Sequence, residues 1–377
     1  MAGFTSLDNL INEVTVNGKF KRTDWNKLTH PVGAHIAGEW HSPFTSSGNP
    51  GAGALGVVGT NLAWHSLSDR DAGAILHGGD VGGYKSILNA SAFSAAATSM
   101  PAIFLLIDIL GYYPVSTVTT LGDQALINSK TFTADAGTDV ITLAATWDAQ
   151  NGMSCRLTTT GTLPAGLATG TTYYYLRTGA GTGKLCTSMA NVDAGTAIDI
   201  TDAGTGTHTL TMYLARCPSE GAGVMAFVVP STALGGGTPN IRLTYTDQDG
   251  NLGALTPSVL PVSKASAAIG IIEYSGTGTG KYGPFVPLAA GDSGIRRVEQ
   301  FNYSATHTSG VTNVVLCRPI ASLPMTTIGV ASERDFVNQL PSFPKVYDGA
   351  CLAWLMYSGA ATPVNSGFYG HIDFGWG

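Results

Sequence analysis

The chain has 377 residues, 44% of them hydrophobic and only 12% charged, with a net charge of −6. The length allows a real core without a disulfide or metal staple, and the charged share, against a usual share of roughly 25%, leaves a surface of hydroxyls, small side chains and backbone that suits faces buried against other subunits. The few basic groups (Lys19, Lys21, Arg22 and Lys27; Arg296 and Arg297) form no nucleic-acid-binding stripe, and no apolar run reaches the ~18 residues of a membrane span.

The first residues, MAGFTSLDNL, lack the basic start and apolar run of a secretion signal. The expectation is of a protein made and folded in a cytoplasm. Residues 5–15 predict a helix: Ser6 caps it, Asp8 suits its positive end, and Leu7, Leu10, Ile11 and Val14 share one face. Residues 1–60 are expected to be this helix followed by an extended arm, anchored by Trp25 and Trp40. So long an irregular segment is unusual within a compact monomer and suits a chain reaching over a neighbour.

KSILNASAFSAAAT (85–98) suggests a short helix. AIFLLIDIL (102–110), broken only by Asp108, suggests a strand buried on both faces, and GYYPVSTVTT (111–120) a turn plus a strand. At Lys130 the composition shifts to Thr, Ala, Gly, Asp and Tyr, and the phrase DAGT appears at 135, 193 and 202. Strand-like runs at 140–145, 197–201 and 208–213, and a turn followed by a strand over 163–177, predict a small β domain over 130–212. It is inserted into a β-sandwich or jelly-roll body made of 61–129 and 213–377. In the second part of that body, strands are expected at 224–230, 240–247, 268–274, 294–304, 312–319, 351–358 and 367–376, with helical character only at 332–340. The closing FYGHIDFGWG, with Phe374 and Trp376, reads as a docked terminal strand.

Several motifs resemble catalytic or binding signatures. GDSG (291–294) surrounds the nucleophile of chymotrypsin-like proteases, but only scattered histidines such as His65 and His77 accompany Ser293, so a Gly-rich turn is expected. GAGTGK (179–184) and GTGTGK (276–281) lack the Ser/Thr and helix of a phosphate loop and read as hairpin turns. His30, His35 and His41 fit no regular metal spacing, and Asp247 and Asp249 in TDQDGN lack the later acidic ligands of a calcium loop. The five cysteines show no CxxC spacing and read as reduced, mostly buried small apolar residues. No catalytic residue, cofactor or metal is expected.

The stretch TLPAGLATGTTYYYLRTGAGTGKLCTSMANVDAGTAIDITDAGTGTHTL resembles a module that recurs in structural proteins of tailed bacteriophages. The shared words are LPAGLATGT-YY and AIDITDAGTGTHT. The ends, FTSLDNLINEV-NGKF-R-DWNK and PVNSGFYGHIDFGWG, resemble phage virion proteins that carry or lack such an insert. The resemblance implies a virion component assembled in a bacterial cytoplasm, with other capsid proteins as partners and no catalytic residue. Because the chain shows little of the helical pattern of the usual major capsid fold, a head decoration, cement or shell-associated subunit is expected. The alternative is a tail or adsorption protein binding host glycan, with Tyr173, Tyr174 and Tyr175 stacking on sugars. Self-association, as a homotrimer with the N-terminal arm on another subunit, is the expected assembly.

Overall fold

The computed structural model describes residues 3–29, 36–56, 62–94, 102–116, 122–144, 147, 149–255, 261–275, 283–327, 329–338, 343–363 and 366–377. The protein is mainly β: three antiparallel sheets and one closed barrel.

The N-terminal helix, Leu7–Ile11, starts where Ser6 Oγ accepts the Asn9 N–H at 3.0 Å. It continues as a π-helical turn, Asn12–Val16, and stops before Gly18, whose φ of +64° favours glycine. Its expected apolar face is only partly covered. Leu10 is buried, while Leu7 and Ile11 are exposed.

Two sheets stack as a sandwich. The outer sheet runs in the order Ser332–Asp335, Lys85–Ser94, Gly367–Trp376, Phe20–Leu28, Gly48–Asn49. The central sheet runs Met225–Thr232, Val311–Met325, Ala102–Ser116, Leu352–Ser358, Glu39–His41. Between them lies a core of Trp25, Ile87, Ala90, Ala92, Phe104, Leu106, Trp354, Phe368, Ile372 and Phe374. The other face of the central sheet, with Ile107, Ile109, Tyr113 and Leu355, joins a second core. AIFLLIDIL is apolar at successive positions because this strand is covered on both faces.

Among the described residues of the first 60, two segments differ from the expected irregular arm. Phe20–Leu28 is a nine-residue strand paired along its whole length with Gly367–Trp376. Trp25 is buried against Trp354 and Phe104 of the same chain, with ring centroids 5.0 and 6.0 Å away. Trp40 lies in the short strand Glu39–His41 and packs on Tyr357. In the described residues the anchors therefore close onto the chain's own sheets. Phe374 is buried in the sandwich and Trp376 is half-buried at its end.

KSILNASAFS is likewise a strand, not a helix. Alanine favours helix only weakly, and here small residues suit a crowded sheet: Ala90 and Ala92 are fully buried opposite Ile372 and Gly370. SERD is a strand too, followed by a turn in which Asp335 Oδ1 accepts the Val337 and Asn338 N–H groups. The expected turn at Gly111 is absent, since Ala102–Ser116 runs straight through it. Glycine is needed there because a Cβ would lie 2.3 Å from the His65 carbonyl oxygen and 2.5 Å from the Trp64 ring. The strand after Thr312 runs on past Pro319 and Pro324 to Met325. Its partner Met225–Thr232 ends its pairing at Cys317, so the prolines occupy a free edge where no N–H is required.

AIGIIEY (268–274) is not a regular strand but a seam between the two ends of the central sheet. Gly270 and Glu273 donate backbone N–H groups to Pro230 and Val228 on one edge strand, and Ile272 donates to Trp40 on the other. The central sheet is thus curled almost into a closed form, which removes edges open to mispairing.

The third sheet has the order Leu252–Leu255, Ile241–Asp247, Ile295–Tyr303, Gly122–Ala125. The barrel closes six strands: Ser154–Thr159, Tyr173–Gly179, Thr182–Cys186, Val140–Leu143, Ser129–Asp135 and His208–Met212. Its interior is filled by Phe132, Ile141, Leu157, Tyr175, Leu185 and Leu210. AIDIT, expected as a strand-like run, forms no strand, although Ile200 is buried. The three DAGT phrases serve turns of two kinds. Asp135 and Asp202 accept the N–H of Gly137 and Gly204 in Asx turns, whereas at 193–196 the phrase ends the helix Met189–Ala194, with Gly195 at φ +68°. Trp147 ties barrel to body by donating its indole N–H to the Trp64 carbonyl at 3.0 Å.

Candidate functional site: a cleft between barrel and body

Charged residues that are scattered singly through the sequence converge where the barrel meets the body. A cleft of about 550 Å³ opens there. Tyr174 and the first residues of Met189–Ala194 form its barrel wall, and Asp80, Arg216, Lys345 and Tyr347 line the body side.

Arg70 braces the two walls. Its Nε and Nη2 engage the Asp193 carboxylate on the barrel helix, Nη1 donates to Asp69 at 2.6 Å, and Nη2 donates to Asp80 at 2.9 Å. The bond to Asp193 leads in raising the Arg70 pKa, and the same pairing holds Asp193 below the usual carboxylate range. Burial pushes Asp69 upward. Beneath this fork lie His77 and Lys85, both fully buried. Lys85 Nζ is 2.8 Å from His77 Nδ1 and 3.5 Å from Asp348, and it also donates to the Gly79 carbonyl. His77 Nε2 faces the Ala350 carbonyl at 3.2 Å. Asp348 in turn accepts the Val81 and Gly82 N–H groups. One turn of chain on the body side is therefore clamped by a buried cation and a carboxylate.

Arg216 reaches the cleft from below. It donates to the Leu67 and Ile109 carbonyls and faces the fully buried Asp108, which also accepts the Cys351 N–H at 2.9 Å. Burial opposes the charge on Arg216, and the adjacent Asp108 carboxylate more than offsets it, so its pKa stands above the ordinary value.

Burial, reinforced by the Lys85 charge, lowers the His77 pKa to about 4. The folded state thus resists a proton that the unfolded chain accepts at the ordinary 6.5. Stability is fully present above pH 6.5 and is lost as pH falls toward 4. Between pH 7 and 4.5 the His77 contribution to this loss is roughly 2–3 kcal/mol at ~1.4 kcal/mol per unit. Urea titrations of the protein and of His77→Gln at both pH values check this. The variant should lose less stability on acidification, and equal losses would remove His77 as the cause.

The sequence-predicted residues fall in different places. Tyr173 and Tyr175 point into the barrel and are buried, because alternate residues of a strand face opposite sides. The expected three-ring platform therefore reduces to Tyr174, which lines the cleft. Trp25 and Phe374 share the sandwich core, while Trp40 lies on the central sheet's edge strand. Ser293 is an exposed turn residue whose N–H binds Gln248. Neither histidine considered for it is nearby in function: His77 is bound as described and His65 stacks on Tyr112. GAGTGK forms the hairpin between two barrel strands. GTGTGK, His30 and His35 lie outside the described residues, and His41 is buried in its strand. Asp247 accepts the Asp249 and Asn251 N–H groups, which is turn chemistry. Among the described residues no group of three or more His, Cys, Asp or Glu side chains is placed to hold a metal ion.

One buried constellation went unread in the sequence. Ser263 Oγ lies 3.0 Å from Glu273 and 2.9 Å from His307 Nε2, and the Tyr303 and Thr312 hydroxyls also bind Glu273. A hydrolytic triad needs its carboxylate on the far nitrogen of the histidine and an open nucleophile. Here the carboxylate binds the serine directly and all three groups are buried. The cluster satisfies Glu273, whose pKa burial raises, within the seam of the central sheet.

No family model matches this chain, and no curated protein matches it. Among solved structures, a mutant VP2 protein of infectious bursal disease virus in T=1 particles aligns at 8% identity over 78% of this chain and 79% of that one, with a TM-score of 0.13. A VP2 subviral particle of the same virus aligns at 9% identity over 78% and 81%, also with a TM-score of 0.13. Likeness at this level carries no argument about fold or role.

Proposed function

We propose that the protein is a structural subunit of a tailed-phage virion, a head decoration, cement or shell-associated component, and that it is not an enzyme. One observation carries this reading. The two terminal phrases that resemble phage virion proteins, one containing NGKF and DWNK and the other GFYGHIDFGWG, are strands paired over nine consecutive positions, from Phe20↔Gly375 to Leu28↔Gly367. The resemblance therefore belongs to one structural unit assembled from both ends of the chain. The 12% charge adds support, since wide faces of low charge suit burial between subunits. Assembly with other capsid proteins and with copies of itself, as a trimer, belongs to the same reading.

Electron microscopy of intact particles labelled with antibody to this protein tests it. Label over the head surface is the expected result. Label confined to the tail tip would favour the adsorption reading, and particles without the protein would overturn both.

A further inference from the structure

We propose that the cleft between barrel and body binds a neutral saccharide. Its volume of about 550 Å³ lies in the range of ligand sites, and it sits at a junction between two structural units, where such sites concentrate. Two tyrosines, Tyr174 and Tyr347, face it from opposite walls. Aromatic rings bury the C–H faces of sugars while their hydroxyls meet the polar edges. Lys345 Nζ and the Arg318 guanidinium lie over the Tyr347 ring, 4.3 and 4.8 Å from its centre, so the stacking role falls to Tyr174. Burial raises the Tyr174 pKa, so its phenol stays a neutral donor.

The charges argue for an uncharged ligand. The lining carries two carboxylates, Asp80 and Asp348, and two cations, Arg216 and Lys345. Asp80 is engaged by Arg70, Asp348 by backbone N–H groups and Lys85, and Arg216 by Asp108. A basic ligand would find no unengaged carboxylate, and an acidic one would meet only Lys345, whose ammonium already lies over the Tyr84 and Tyr347 rings. A polyol is suited to these groups, because each carboxylate oxygen has lone pairs for a further donor and Ser68, Ser154 and Ser188 add hydroxyls. The Arg70 fork and the Lys85–His77 pair beneath fix the walls before binding, which lowers the ordering cost.

The inference concerns the isolated protein and does not depend on where in a particle it sits, so its failure and that of the virion reading are separable. Saturation-transfer NMR on the full chain with maltotriose, chitotriose and a galactose trisaccharide, and with trigalacturonic acid as an anionic comparator, tests it. Saturation of at least one neutral trisaccharide, and little of the acid, is expected. Tyr174→Ala should weaken that binding at least tenfold, while Tyr174→Phe, which keeps the ring, should retain most of it. If the alanine variant folds poorly, shifts of the Tyr174 ring resonances during titration of the unaltered protein report the site directly. No binding by any neutral trisaccharide, preference for the acid, or binding that leaves Tyr174 unperturbed would overturn the proposal.

Discussion

Replacing Asp108 by alanine should destabilise the protein by about 3–5 kcal/mol, the cost of breaking a buried ion pair from one side. Asp108 lies at the middle of the long central strand, fully buried, and accepts from Arg216 and from the Cys351 N–H. Its loss leaves the Arg216 guanidinium with carbonyl partners but no countercharge, and leaves a buried N–H unpaired. Asp108→Asn keeps the shape and an acceptor for Cys351, and should cost about half as much. Urea unfolding measures both as a fall in midpoint at unchanged slope. A loss below about 1 kcal/mol for the alanine variant would mean that Arg216 finds water through the cleft, where its side chain is 16% exposed.

Trp25→Ala is expected to cost about 3–5 kcal/mol, the range for deleting a large buried aromatic. The indole fills the sandwich between Trp354 and Phe104, 2% exposed, in a strand whose partner leaves room for it at Gly370. This variant also discriminates between the two fates of the N-terminal segment. Burial within one chain predicts a loss that does not vary with protein concentration. Burial on a neighbour would make the unfolding midpoint concentration-dependent. Equilibrium unfolding of both proteins at two widely spaced concentrations decides the matter.

The β-rich class was legible because turn residues separate short apolar runs, and GFYGHIDFGW was delimited to the residue by its flanking Ser366 and Gly377. Phe20–Leu28 was not, because FKRTDWNKL carries polar residues at most positions and only its pairing with the C-terminal strand makes it β. KSILNASAFS was misread for the opposite reason: its alanines mark lack of space between strands rather than helix preference. The strand expected to stop at Pro319 runs on to Met325, because the neighbour's end frees its edge there. For the cleft, the visible signals were the tyrosine run, of which Tyr174 lines it, and Asp108 interrupting an apolar run. Its partner Arg216 is 108 residues away, and Arg70, Asp193 and Asp348 come from equally distant segments, so no spacing in the chain announces them.

The barrel begins and ends at one place. Ser129 pairs with Thr211, and the Met212 N–H donates to the Asn128 carbonyl, so the chain enters and leaves on neighbouring strands about 5 Å apart. A two-residue turn spans such a gap. Genetic recombination could therefore remove or replace this stretch as a cassette without moving either flank, at the cost of the Trp147 and Arg70 ties. The body and the barrel are free to have separate ancestries, and a cleft walled by both would then change its ligand by exchange of a single block of DNA.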